Sequence, residues 1–335
     1  MTDRKTATRQ RKTRRDAPPP LPRAPLSVVD AKDSAALFHR LAVASALRIT
    51  EAGRVFLAED AMAPTHKLRV ALRRHRSLLK LFAAHLSPGF LAAQSEQAKA
   101  IAARLAPIRE TDVMVTETLP ALAGRWETAN ELSPAAATRR QRALAALSRK
   151  LEKNAERART ALRRDPEFSL ALCDLLLDLN AELAAPSGRT DAPCAAARPA
   201  KRPAKPRRLA RAALDAAARK LARFGNRLDT LTIDKRHEMR KKAKTLRYAV
   251  EFFGPLFDPL DAKPYRKALR RLQDSFGVLN DAADLEKLRS VQLSTTLRPF
   301  VEAAIEEVRE HASREYALAK TTWADFDKRR PFWRK

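Results

Sequence analysis

From about residue 33 to 184, and again from 209 to 322, the apolar residues of this chain recur every three or four positions, and no stretch alternates with period two over the length of a strand. That periodicity restricts the fold to packed amphipathic helices, because a helix with one apolar stripe is stable only when the stripe is buried against another. Ala, Leu, Arg, Lys and Glu dominate, and only 7 glycines occur, which favours helix nearly everywhere. The expected class is all-α, and 335 residues can bury a sizeable core as one large or two smaller domains.

Prolines punctuate the pattern. Pro64, Pro88, Pro107, Pro134 and Pro166 sit at or near helix starts or breaks, where a missing amide proton does least harm. The periodicity predicts helices near 33–58, 65–86, 89–106, 108–123, 134–164 and 166–184, then near 209–229, 234–253, 259–276, 278–290 and 296–322. Asp234 and Ser294 are the expected N-caps of two of them, and Phe253-Gly254-Pro255 ends another. Two segments break the periodicity. Residues 1–27 are basic and Pro-rich with almost no large apolar side chain, and are expected to form a disordered cationic tail. Residues 185–208 alternate proline with arginine and lysine and read as a linker between a first half, 33–184, and a second, 209–322.

A formal net charge of +28 exceeds what solubility requires and implies a polyanionic partner: nucleic acid, an acidic membrane surface or an inorganic polyphosphate chain. Cys173 and Cys194 have no disulfide framework or metal spacing around them. The opening residues lack the apolar core of a secretory signal. The most apolar run, 170–185, is interrupted by Asp174, Asp178, Asn180 and Glu182 and cannot span a bilayer. These features lead to the expectation of a soluble, cytoplasmic protein with no metal and no cofactor.

The two halves are related by a constant offset of 171 residues, the distance from His66 to His237. The same offset takes Phe82 to Phe253, Lys99 to Arg270, Ile101 to Leu272, Leu105 to Phe276 and Ile108 to Leu279, as an internal duplication would. At each end of the offset lies a cationic helical stripe. At roughly 100° per residue, His66, Arg69, Arg73, Arg76 and Lys80 fall within about 80° of one another, and His237, Arg240, Lys244 and Arg247 share the equivalent arc. Apolar arcs run beside both: Leu68, Leu72, Leu78, Leu79 and Phe82, then Met239, Ala243, Leu246, Val250 and Phe253. Two cationic rows set next to core-facing sides offer donors and positive charge to a long anion.

The block from Thr65 to Arg76, followed by 105–113 (LAPIRETDV), resembles the first half of a CHAD domain, the conserved histidine alpha-helical domain. His237-Glu238-Met239-Arg240, Lys244-Thr245-Leu246-Arg247-Tyr248 and 272–281 (LQDSFGVLND) resemble its second half. The resemblance spans about 33–320. It implies two pseudo-symmetric helical bundles around a basic groove or cavity, and binding of inorganic polyphosphate, in several members on polyphosphate granules. Three positions depart from the family pattern: Glu110 stands where Asp is more frequent, Ala106 where Gly is usual, and Glu251 where the first half has Lys80. Glu251 is expected to make its end of the second stripe less welcoming to anions.

A single histidine near a helix start is ordinarily structural; the equivalence of His66 and His237, each leading a cationic stripe, points instead to a ligand role. A nearby phosphate chain favours the imidazolium and its second donor. Arginine forks match phosphate oxygens bidentately and lysine acts as a point charge, a mixture suited to a repeating anion with no sequence to read. Lys99 and Arg270 are secondary candidates. Arg109 is either a ligand contact or an internal ion pair, and Asp281 and Asp284 are assigned to capping or to holding arginines. His39, His75, His85 and His311 have no partner under the offset, and His75 falls on the apolar arc. Aromatic residues make up 6% of the chain, low for a single-strand binder that relies on stacking, so Trp126, Trp323, Trp333 and Tyr248 are read as anchors.

No Gly-rich phosphate loop, metal-ligand cluster or nucleophile with a matched base is present, nor the Glu-x-Glu-x-Lys run of a CYTH-type triphosphate tunnel. Catalysis on polyphosphate needs carboxylates for a divalent cation, and no set converges in sequence. The resulting expectation is non-catalytic polyphosphate binding. A nucleic-acid or nucleoid binder using the basic surface and tail is the alternative, and a polyphosphate-modifying enzyme is the remaining rival.

Overall fold

In the computed structural model, the described residues are 27–127, 133–184, 204–278 and 287–335. The basic tail up to residue 26, most of the linker, Asp281 and Asp284 lie outside them. The described residues are predominantly helical, with no strand among them. The α-helices are α1 (Ser34–Ala58), α2 (Met62–Phe82), α3 (Pro88–Arg104), α4 (Ala106–Val113), α5 (Leu119–Glu127), α6 (Pro134–Arg164), α7 (Pro166–Ala184), α8 (Pro206–Gly225), α9 (Ile233–Phe253), α10 (Pro259–Val278) and α11 (Arg298–Asp327).

Capping residues and prolines set these boundaries. Asp33 accepts from the Ala36 amide at 2.8 Å to start α1, and Ser87 and Ser133 cap α3 and α6 immediately before Pro88 and Pro134. Two capping expectations need correction. Thr232, not Asp234, caps α9, because the helix starts one residue before Asp234 and the Thr232 hydroxyl reaches the Lys235 amide at 3.4 Å. Ser294 accepts from the Leu297 amide at 3.3 Å, closing the turn that leads into α11 rather than capping the helix itself.

The helix expected over 108–123 is divided into α4, a π-helical turn (Met114–Thr118) and α5. Pro120 cannot donate, and its ring crowds the carbonyl four residues back at Thr116; the wider turn, with the Leu119 amide on the Met114 carbonyl, relieves that crowding.

Helix α2 joins two of the three apolar cores. Its first half places Leu68 and Leu72 with Ile49, Phe56, Ile101 and Phe168, while its last turns place Leu78, Leu79 and Phe82 with residues of α8, α9 and α10. A third core packs Met114, Leu122 and Leu151 against Leu297, Val301 and Ile305. The C-terminal segment past residue 322, outside the expected second half, belongs to the largest core. Trp333 is fully buried against Tyr265 and Phe332, with its indole N–H on Asp215 at 2.9 Å.

Element boundaries recur at the 171-residue offset. Helix α9 begins and ends at the positions equivalent to the ends of α2, the 3₁₀ turns Ala83–His85 and Gly254–Leu256 are equivalent, and so are the starts of α3 and α10. The equivalent residues Phe82 and Phe253 meet, with ring centroids 5.8 Å apart.

Candidate polyanion-binding site

Helices α2 and α9 pack directly on one another and bring residues of the two stripes together. Lys244 on α9 is only half-buried, yet its ammonium is held down to about 8, first by loss of water and then by the charge of Arg73 on α2, followed by Arg240 and Arg247 on its own helix. Lys80, exposed near the end of α2, is likewise depressed, by partial desolvation and then by Arg76, Lys242, Lys220 and Lys241. Cations of α2, α8 and α9 therefore share one electrostatic neighbourhood.

At the start of α2, Arg69 donates to the Ala102 carbonyl of α3 at 2.8 Å, which fixes its guanidinium. His66 is exposed, and its imidazolium is disfavoured by partial desolvation, then by Arg109 and Arg73, with Glu117 opposing. His237 lies in the first turns of α9, ahead of Arg240.

Among the described residues no carboxylate forms an ion pair with Arg73, Arg76, Lys80, Arg240 or Lys244. The Nε of Arg76 is buried without an acceptor among them. Arg247 differs, since Glu251 lies 3.6 Å from its Nε and also pairs with Arg74 across the helix interface. The departure at Glu251 thus neutralises one end of the second row. The side chain of Tyr248 is buried between these guanidiniums, 5.3 Å from Arg74 and 5.2 Å from Arg247.

The secondary candidates stand apart. Lys99 and Arg270 are exposed on α3 and α10, Lys99 is paired with Glu96 at 3.1 Å, and neither is among the charges acting on His66, Arg69, Lys80 or Lys244. Arg109 makes the internal ion pair, 3.0 Å from Glu117, while its charge still reaches His66 and Arg69. Lys220, Lys241 and Lys242 belong to the cationic neighbourhood although they lie off the predicted arcs. An arc on one helix does not encode where a second or third helix crosses it.

His75 is fully buried, with Nε2 3.0 Å from Gln94 Oε1 and Nδ1 3.1 Å from the Ser45 hydroxyl. Its ring is neutral, donating to Gln94 and accepting from Ser45, and burial lowers it to about 4. Asp112, in the segment that resembles the family motif, is also fully buried and accepts from Arg159 at 2.6 Å. It ties α4 to α6, and no stripe residue is among the charges that act on it. Among the described residues no group of three His, Cys, Asp or Glu could hold a metal ion, and no helix is long and apolar enough to cross a membrane.

The fold is that of an all-helical protein in which two cationic helices pack on one another. The chain belongs to the CHAD domain family, whose model matches residues 42–290. Its fold is similar to the crystal structure of the CHAD domain from the plant Ricinus communis, with a TM-score of 0.64 and 19% identity over 91% of this chain and 96% of that one. It is also similar to PptA from Streptomyces chartreusis, with a TM-score of 0.59 and 17% identity over 89% of this chain and 100% of that one. No curated protein matches the sequence.

Proposed function

We propose that this protein binds inorganic polyphosphate without turning it over, in a basic groove between two halves that arose by internal duplication, and that it associates with polyphosphate granules in the cytoplasm. The observation behind this reading is the packing of α2 on α9, which sets the charge of Arg73 against Lys244 with no carboxylate partner for either among the described residues. Like charges held together in a partly desolvated place oppose folding. A polyanion laid between them reverses the sign of that interaction. His66, Arg69, Arg73, Arg76 and Lys80 belong to one wall and Arg240 and Lys244 to the other, with His237 preceding them on the same helix and Arg247 tempered by Glu251. Lys99 and Arg270 lie outside it.

Family membership and the absence of a recognisable catalytic constellation in the sequence support binding over turnover. The test is a titration of labelled long-chain polyphosphate, competed by duplex DNA at matched phosphate concentration, with inorganic phosphate release followed in the presence of magnesium. Preference for polyphosphate without release supports the reading. Equal competition by DNA favours the nucleic-acid reading, and metal-dependent release favours an enzyme.

A further inference from the structure

On another side of α2, away from the arc of Arg69 and Arg73, a cleft of about 270 Å³ lies between the start of the described chain, α1, α2 and the end of α9. Arg40, Arg48 and Arg74 line it, with Glu251 as the one carboxylate among the described lining residues, and Val28, Phe252 and Pro255 supply apolar wall. Arg40 is occupied by the Ser27 carbonyl and by Asp30 at 3.8 Å. Arg48 has no carboxylate partner among the described residues, and its charge bears on Arg74. Arg74 is held by Glu251 and by the ring of Phe252 at 5.2 Å, with its Nε buried and lacking an acceptor among the described residues.

A bare phosphate chain has no surface to place against Phe252 and Pro255. A purely apolar molecule would cover the unpaired charge of Arg48 and the buried Nε of Arg74 without answering either, which is costly. The lining calls for both chemistries in one small molecule: an anionic head that Arg48 and Arg74 can grip in bidentate fashion, and a compact apolar body. We infer that this cleft is a second anion site, distinct from the two cationic rows, that takes a small organic anion such as a monophosphate ester with an apolar group.

The two sites share Glu251. An anion that draws Arg74 away from Glu251 leaves that carboxylate to Arg247, 3.6 Å away, and adds negative charge behind the rows. Occupancy of the cleft therefore weakens polyphosphate binding. This coupling rests on the proposed function, whereas the cleft site does not.

Calorimetric titration of the full chain with phenyl phosphate, inorganic phosphate and benzyl alcohol tests the site. Phenyl phosphate binds at one equivalent, about tenfold tighter than either comparator, and Arg48→Ala weakens it by about tenfold. Arg48 is exposed, so the variant should fold; Arg48→Gln serves if it does not. The Arg69→Ala/Arg73→Ala variant binds phenyl phosphate as the natural chain does, and Arg48→Ala retains polyphosphate binding. Equal affinity for phenyl phosphate and inorganic phosphate, indifference to Arg48, or loss in the stripe variant overturns the site. Polyphosphate affinity that does not fall at saturating phenyl phosphate overturns the coupling alone.

Discussion

Arg73 of α2 is the cation that presses hardest on Lys244 of α9, and among causes of the depressed Lys244 ammonium only burial outweighs it. The two residues occupy equivalent places, 171 positions apart, in their respective stripes. A bound polyanion must raise the proton affinity of Lys244, so binding and protonation are linked.

Affinity for polyphosphate should fall as pH rises through about 8, where free Lys244 loses its proton. His66 acts with the same sign at lower pH, because its free imidazolium is disfavoured below the ordinary 6.5 and a bound anion restores it. Fluorescence anisotropy of labelled polyphosphate across this range measures both. Lys244→Arg is expected to keep the affinity and remove the decline near pH 8, while the natural chain continues to weaken. Identical pH profiles for the two proteins would contradict the linkage.

The buried imidazole of His75 predicts an acid-sensitive fold. In the unfolded chain it titrates near 6.5, whereas the folded ring resists protonation down to about 4. The unfolded state therefore binds the extra proton between these values. Stability is full above about 6.5 and is lost as pH falls toward 4, by about 3 kcal/mol over the window. Urea denaturation at both ends of this range should show His75→Gln losing less stability on acidification than the natural chain. Parallel losses would place the acid sensitivity elsewhere.

Asp112→Ala should destabilise the protein by about 3–5 kcal/mol, since it strands the buried guanidinium of Arg159. Asp60, 3.6 Å from the Arg159 Nε and partly exposed, offers limited compensation. Glu110→Ala, on an exposed position two residues earlier, should change stability by about 0.5 kcal/mol or less. Thermal denaturation of both variants distinguishes a structural Asp112 from one that serves the ligand, because a ligand role predicts lost binding with little lost stability.

The helical class and the bounds of α1, α6 and α7 were legible because their apolar spacing and proline starts act locally. The pairing of the cationic stripes was legible through the offset, which a single helix would not reveal. What was not legible depends on contacts made at a distance in sequence. Lys220, Lys241 and Lys242 join the charged neighbourhood only because three helices converge near Lys80. Glu251 could be recognised as an exception to the repeat, but its hold on Arg74 depends on how α2 crosses α9. The π turn had a local sign in Pro120 that simple periodicity overlooks. Trp333 had no periodic pattern to mark it as core, since its burial comes from a short terminal turn folding back onto Asp215 and Tyr265.

The central claim is that the cations of α2 and α9 face a common acidic guest. It is tested most directly by the affinity of long-chain polyphosphate for three proteins: the natural chain, a chain lacking residues 1–26, and Arg69→Ala/Arg73→Ala/Arg240→Ala/Lys244→Ala. By analogy with DNA, roughly 6–10 phosphate contacts make affinity fall by about 10³–10⁵ between low and moderate salt. The quadruple variant should bind far more weakly and with a shallower salt dependence, while the truncated chain keeps most of its affinity and the full slope. A quadruple variant that binds normally beside a truncated chain that does not would show that polyphosphate is held by the tail and not between the helices.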